Sequence, residues 1–346
     1  MIVGTARAAA TEWVMQYASQ EAWFMGAYFS GSTVGQPDDA TMAAGSDMDV
    51  VVVTSEATPP LKLGKFIYRG ALIEITFLSW NQLASAEEVL TSYHLAGSFR
   101  ADTLLADPTG QLRGVQQKVA RHFTEIEWVR RRCENAGQKI EHGLRNIDPT
   151  APWHNQVMAW LFMTGVTAHV LLVAALRNPT VRLRYLAVNN MLREFGRTGI
   201  YSELLWLLGC EHWTPQRTCH HLNALARTFD VAAAHAKTPF PFSSDITAAS
   251  RPIAIDGSRN LIRDGFHREA VFWIGATFAR CHHILCADAA PKLQAELAPA
   301  FEEFVADLGI PSSDTLARRA EEVLRFLPRL RDEAESIMQA NPEILR

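Results

Sequence analysis

The sequence is short of cysteine. Five cysteines are scattered over 346 residues, an odd number. None belongs to a Cys-x-x-Cys pair, which argues against a disulfide framework and fits a reducing, cytoplasmic compartment. Net charge is also scarce. The chain carries −4 at pH 7, and residues 1–124 hold 8 basic and 12 acidic side chains against 25 of each in the remainder. Neither part is the basic surface that polymeric nucleic acid attracts, so no such partner is expected. Long uninterrupted apolar runs are missing. Residues 157–176 come closest to a membrane span, but His169 and several small polar residues interrupt them, and no membrane association is expected. The start of the chain lacks a basic region followed by an apolar block, so no export signal is expected. A Gly-x-x-x-x-Gly-Lys-Ser/Thr phosphate loop and a His-Glu-x-x-His zinc motif are absent, as are internal repeats and low-complexity tracts. Cys281-His282-His283 with Cys286, and Cys219-His220-His221, place few ligands on a common helical face. They read as core or surface residues rather than zinc sites.

What is present is an ordinary globular composition, 48% apolar and 20% charged. The first third mixes short helices and strands. A helix is predicted over 5–20, with Trp13, Tyr17 and Val14 on its apolar side. Strands are predicted over 22–29 and 47–54, then a hairpin of 65–69 and 71–78 pivoting on Gly70, then a short strand over 102–106. A polar loop links Gly31-Ser32 to Ser46. From about residue 111 the periodicity becomes helical. Helices are predicted over 126–147, 153–177, 201–208, 215–234, 260–286 and 315–340. A further one begins at an N-cap, Thr180, and carries Val181, Tyr185, Val188, Leu192 and Phe195 at helical spacing. Residues 238–244 form a stiff, proline-containing connector. The expected fold is α+β: a small mixed-sheet domain over 1–122, followed by an all-helical bundle over 123–346.

One short stretch carries chemistry. In Gly45-Ser-Asp-Met-Asp-Val-Val-Val-Val53, Asp47 and Asp49 share one face of a strand and Met48 takes the other. Glu74 lies inside a second apolar strand, Leu72-Ile-Glu-Ile-Thr-Phe-Leu78, with Leu72 and Thr76 on its face. Like charges on buried strand faces need compensation. If the two strands pair, the three carboxylates converge into a hard-oxygen site suited to Mg²⁺. Two such ions would neutralise a triphosphate and hold attacking and leaving oxygens in line. Gly31-Ser32, after the first strand, would let backbone N–H groups approach phosphate.

These residues resemble the nucleotidyltransferase superfamily of DNA polymerase β, over roughly residues 22–78. The shared pattern is Gly-Gly/Ser, a spacer, Asp-apolar-Asp/Glu-apolar, and a later strand acid. The chain departs from it in having Ser30 before Gly31 and fourteen residues, 33–46, in the spacer. The appended helices are similar to the small-molecule branch that includes aminoglycoside adenylyltransferases. The resemblance implies a Mg²⁺-dependent transfer of a nucleoside monophosphate, AMP from ATP or another from its NTP, to a hydroxyl of a small acceptor, with an aminoglycoside-like compound as the acceptor class. Asp47 and Asp49 would hold metal, and Glu74 would be general base or third ligand. Gly31, Ser32, and cations of the helical region would bind nucleotide. Arg182 and Tyr185 of Thr180-Val-Arg-Leu-Arg-Tyr185, and His267 and Arg268 of Gly265-Phe-His-Arg-Glu269, are the candidates there. Two alternatives remain at this point: a protein-modifying adenylyltransferase, and a non-catalytic nucleotide-binding regulator.

Overall fold

The computed structural model describes residues 1–42 and 45–346. The polar loop expected after Gly31-Ser32 includes Ala43 and Ala44, which lie outside the described residues. The chain divides into two units. One comprises Met1–Arg132, Phe240–Asp245 and Glu343–Arg346; the other comprises Cys133–Pro239 and Ile246–Pro342. The division falls after Arg132 rather than after residue 122, and part of the proline-containing connector belongs to the first unit.

The first unit is built around a five-stranded sheet. Helix α1 (Val3–Gln16) precedes strands β1 (Phe24–Phe29), β2 (Met48–Thr54), β3 (Gly64–Tyr68) and β4 (Ala71–Ser79). Short helices α2 (Ala86–Thr91) and α3 (Ala96–Phe99), strand β5 (Leu104–Ala106) and helix α4 (Gln111–His122) follow. The strand order is β3–β4–β2–β1–β5. Strands β2 and β4 run parallel and the other neighbours antiparallel, so the sheet is mixed. The valine-rich run therefore forms the central strand, where β-branched residues pack best.

Alternation in β2 and β4 explains which face is dry. Met48, Val50 and Val52, with Ile73 and Ile75, join Val3, Ala6, Ala9, Ala10 and Val14 of α1 in one buried cluster. This corrects the predicted helix face. Val14 is buried, but Trp13 is only half-buried and Tyr17 is 48% exposed. Small alanines face the sheet because a helix lying close to a strand surface leaves no room for rings. The displaced rings gather at the β3 edge instead, Trp13 against Phe66 and Tyr17 against Tyr68.

The second unit is helical. Helix α5 (Ile126–Arg145) enters it, followed by α6 (Trp153–Ala174), α7 (Arg184–Glu194), α8 (Gly199–Leu208), α9 (Pro215–His235), α10 (Gly257–Arg263), α11 (Val271–Asp288), α12 (Pro291–Asp307) and α13 (Ser313–Ala340). Helix α6 packs against α7, α8, α11 and α13, while α9 packs on α11 and α12. By length and composition α6 alone, among the described residues, suffices to cross a membrane, contrary to the expectation that no such window exists. Its most apolar window is 78% buried within the protein, as a core helix requires.

Two helix expectations are corrected. Thr180 does not cap a helix: α7 begins at Arg184, and the Thr180 carbonyl accepts from His169 Nε2 at 2.9 Å. The predicted helix over 260–286 is two helices, α10 and α11, with a turn between them. Helices α2, α3, α4 and α12 have no counterpart among the expected helices.

Candidate metal centre

The parallel register of β2 on β4 pairs Asp49 with Glu74 and Met48 with Ile73. Paired residues of adjacent strands point the same way. Met48 and Ile73 therefore enter the core under α1, while Asp49 and Glu74 stand together on the opposite face. Asp47 lies just before β2. One ligand oxygen from each of Asp47, Asp49 and Glu74 lies within 4.8 Å of the others, and among the described residues no other group of His, Cys, Asp or Glu gathers this way.

Gly31 completes this corner. Strand β1 pairs Phe29 with Val50, and Ser30 N–H donates to the Asp49 carbonyl at 3.0 Å. The chain then turns through Gly31 at φ +70°, where a Cβ would overlap the Asp49 carboxylate. A residue with a side chain would be strained there and would also displace the acid. Ser32 follows in the same turn and is exposed.

The compensating charges come from β3 and from far along the chain. Hairpin pairing sets Lys65 opposite Glu74. Lys65 Nζ lies 2.9 Å from Glu74 Oε2, 3.2 Å from Asp47 Oδ2 and 2.8 Å from Asp245 Oδ1. Lys62 forms an ion pair with the other oxygen of Glu74. The sequence reading missed Lys62, Lys65 and Asp245. The signal for Lys65 was available: with Arg69 and Gly70 in the turn, symmetrical pairing of β3 with β4 puts 65 across from 74.

Burial would raise the Glu74 pKa, but Lys65 and Lys62 more than offset it and hold the carboxyl at about 2. Asp47 is raised, by burial first, despite the nearby Lys65. Asp49 is pushed well above the usual carboxylate range by burial and then by the charges of Asp47 and Glu74. Burial would lower Lys65, yet Asp245, Glu74 and Asp47 together hold it above the usual lysine range. These directions describe a buried acidic cluster only partly neutralised. Of the six side chains, Asp47, Asp49, Glu74 and Asp245 offer four carboxylates to two ammonium groups, a formal excess of two negative charges. All available donors are hard oxygens. A divalent cation of the Mg²⁺ type fits that charge and that chemistry.

The remaining candidates lie in the second unit. Arg182 is half-buried in the turn before α7, its guanidinium against Gly257. Arg184 is buried, over the Phe272 ring at 3.9 Å and donating to the Val181 carbonyl. Tyr185, expected to contact nucleotide, is 0% exposed beside Phe272 and offers no surface. His267 Nε2 donates to the Trp213 carbonyl at 2.9 Å, and Arg268 to the Glu211 carbonyl at 3.3 Å. Both tie the lead-in of α11 to the loop after α8. The neighbouring Glu269 accepts from Tyr201 and Asn189. On α11, Cys281 is buried, Cys286 is exposed and His283 bonds to Asn155. None of the five cysteines is joined in a disulfide.

No protein-family model matches the chain, and no curated protein does.

Proposed function

We propose that the chain is a Mg²⁺-dependent nucleotidyltransferase that moves a nucleoside monophosphate, AMP from ATP in the first instance, to a hydroxyl of a small molecule, and that it works in the cytoplasm. One observation carries this reading: Asp49 and Glu74 are register partners on adjacent parallel strands, with Asp47 completing a three-carboxylate cluster. Asp47, Asp49 and Glu74 would hold the metal, which when bound would neutralise phosphate charge and polarise the phosphorus–oxygen bond.

The protein's own residues supply position and charge. Gly31 keeps the β1 turn against Asp49, so phosphate would meet backbone rather than a side chain there. Glu74 is held ionised by Lys65 and Lys62. That favours ligation over general-base work, since a carboxyl with so low a pKa is a poor proton sink. The same chemistry aimed at a protein side chain shares these residues, and acceptor identity separates the two. The second reading, a nucleotide-binding regulator without turnover, draws on the ion pairs that Lys65 makes inside the cluster.

The test is pyrophosphate release from ATP, GTP, CTP or UTP with Mg²⁺ and a panel of hydroxylated acceptors, beside thermal-shift measurements with the same nucleotides. Turnover should need Mg²⁺ and fall at least ~100-fold in Asp47→Asn and Asp49→Asn. A melting shift with nucleotide and no pyrophosphate from any acceptor would favour the regulator.

A further inference from the structure

We propose that Lys65 and Asp245 set the cation affinity of the acidic cluster, Lys65 as a competing internal cation and Asp245 as the anchor that draws it aside. The inference rests on reading Asp47, Asp49 and Glu74 as a metal site, and it deepens that reading.

An ammonium has three N–H donors. Lys65 stands within ion-pair distance of three carboxylates, those of Asp47, Glu74 and Asp245, and hydrogen-bonds to the last. Two of these acids are candidate metal ligands and the third is not. A divalent cation entering between Asp47 and Glu74 would repel the ammonium and claim the oxygens it holds. Lys65 must then give up two contacts and keep one. Asp245 is where it stays, because that carboxylate is not one of the three candidate ligands and is itself buried.

The anchor is built into the fold. Asp245 lies 180 residues beyond Lys65 in sequence. It arrives on Phe240–Asp245, a short stretch belonging to the first unit between two segments of the second. The stretch is shaped by its own bonds: Ser243 Oγ accepts from Phe240 N–H at 2.8 Å, and Asp245 N–H donates to the Phe242 carbonyl at 2.9 Å. It is also seated closely on β3. At Gly64, with φ +78°, an added Cβ would overlap Ser244. The residue before Lys65 is thus shaped to admit the residue before Asp245, and the two charged side chains meet as a consequence.

The electrostatics give the two residues opposite signs. Removing the Lys65 charge leaves a more negative cluster in which only Lys62, on the other oxygen of Glu74, still competes. Removing the Asp245 charge leaves the ammonium with only Asp47 and Glu74 to bind. A purely structural role would predict that both substitutions weaken the site together.

The measurement is Mn²⁺ binding by the full chain without nucleotide, read from the electron paramagnetic resonance signal of free Mn²⁺. Lys65→Met should bind at least ~10-fold tighter than the unsubstituted protein, as expected for a unit charge removed a few ångströms from a cation. Lys65→Arg, which keeps the charge, should remain within ~3-fold, and Asp245→Asn should bind at least ~3-fold more weakly. Lys65→Gln serves in place of Lys65→Met if circular dichroism shows the latter unfolded. Saturable binding in the unsubstituted protein with unchanged or weaker binding in both neutral Lys65 variants overturns this inference and leaves the proposed function standing. Absence of saturable binding in the unsubstituted protein and in every Lys65 variant overturns the metal-site reading, and this inference with it.

Discussion

Gly31 shows how much a single position can carry. Its positive φ costs a residue with a Cβ about 1–2 kcal/mol, and the overlap with the Asp49 carboxylate adds to that. Gly31→Ala should therefore lose ~2–3 kcal/mol in urea unfolding and bind Mn²⁺ at least ~10-fold more weakly, because the acid must move. A variant that lost stability but kept cation affinity would show that the turn, and not the acid, feels the side chain. Residue-level legibility was uneven for physical reasons. Asp47, Asp49 and Glu74 stand out because charge inside a β-branched run is costly and visible. Lys65 could be found only by pairing the hairpin, a step beyond composition. Asp245 was invisible, because nothing local marks an acid whose partner is 180 residues away. Tyr185 misled because it was grouped with Arg182 as a nucleotide contact, although its helical spacing from Val188 and Leu192 is that of the core it joins.

At the scale of elements, strands were more legible than helix faces. Period-two alternation in β2 and β4 is enforced by burial on one side, so their bounds and facing came through in the sequence. The parallel register was conditional there, and only the fold settles that Asp49 meets Glu74. Helix α1 was placed but turned wrongly, since size looked like burial and the true stripe is alanine. That gives a direct test. Ala10, fully buried under the sheet, has no room to grow. Ala10→Leu should cost ~1–3 kcal/mol by overpacking. Tyr17→Ala, at a ring half in solvent, should cost under ~1 kcal/mol. Chemical denaturation of the two variants decides it, and equal losses would reject the packing described for α1. The start of α7 was misread because the Thr180 carbonyl is claimed by His169, a contact from a neighbouring helix that no local cap signal reveals.

Over the whole molecule, the second unit holds a set of imidazoles that should make folding sensitive to acid. His282 lies on α11, its ring against Phe278 and Phe301. Burial lowers its pKa to about 4. His154 on α6 is also lowered to about 4, by burial and then by the charges of His283 and His282. The ordinary value is 6.5. Between these values the unfolded chain binds more protons than the folded one, so stability rises with pH across that window. Neutral His282 costs nothing above pH 6.5. As pH falls toward 4 the unfolded imidazole takes its proton while the folded one resists, and stability is lost progressively. For His282 the loss is about 3 kcal/mol by pH 4. Urea titrations from pH 7.5 to 4.5 should show unfolding free energy falling over the lower part of that range. His282→Leu removes the titrating group while keeping an apolar side chain between the two phenylalanines. Its stability curve should be flatter below pH 6.5, with the difference from the unsubstituted protein growing toward acid. Parallel curves would mean that the imidazole reaches water in the folded state, and that the acid sensitivity of the helical unit has another source.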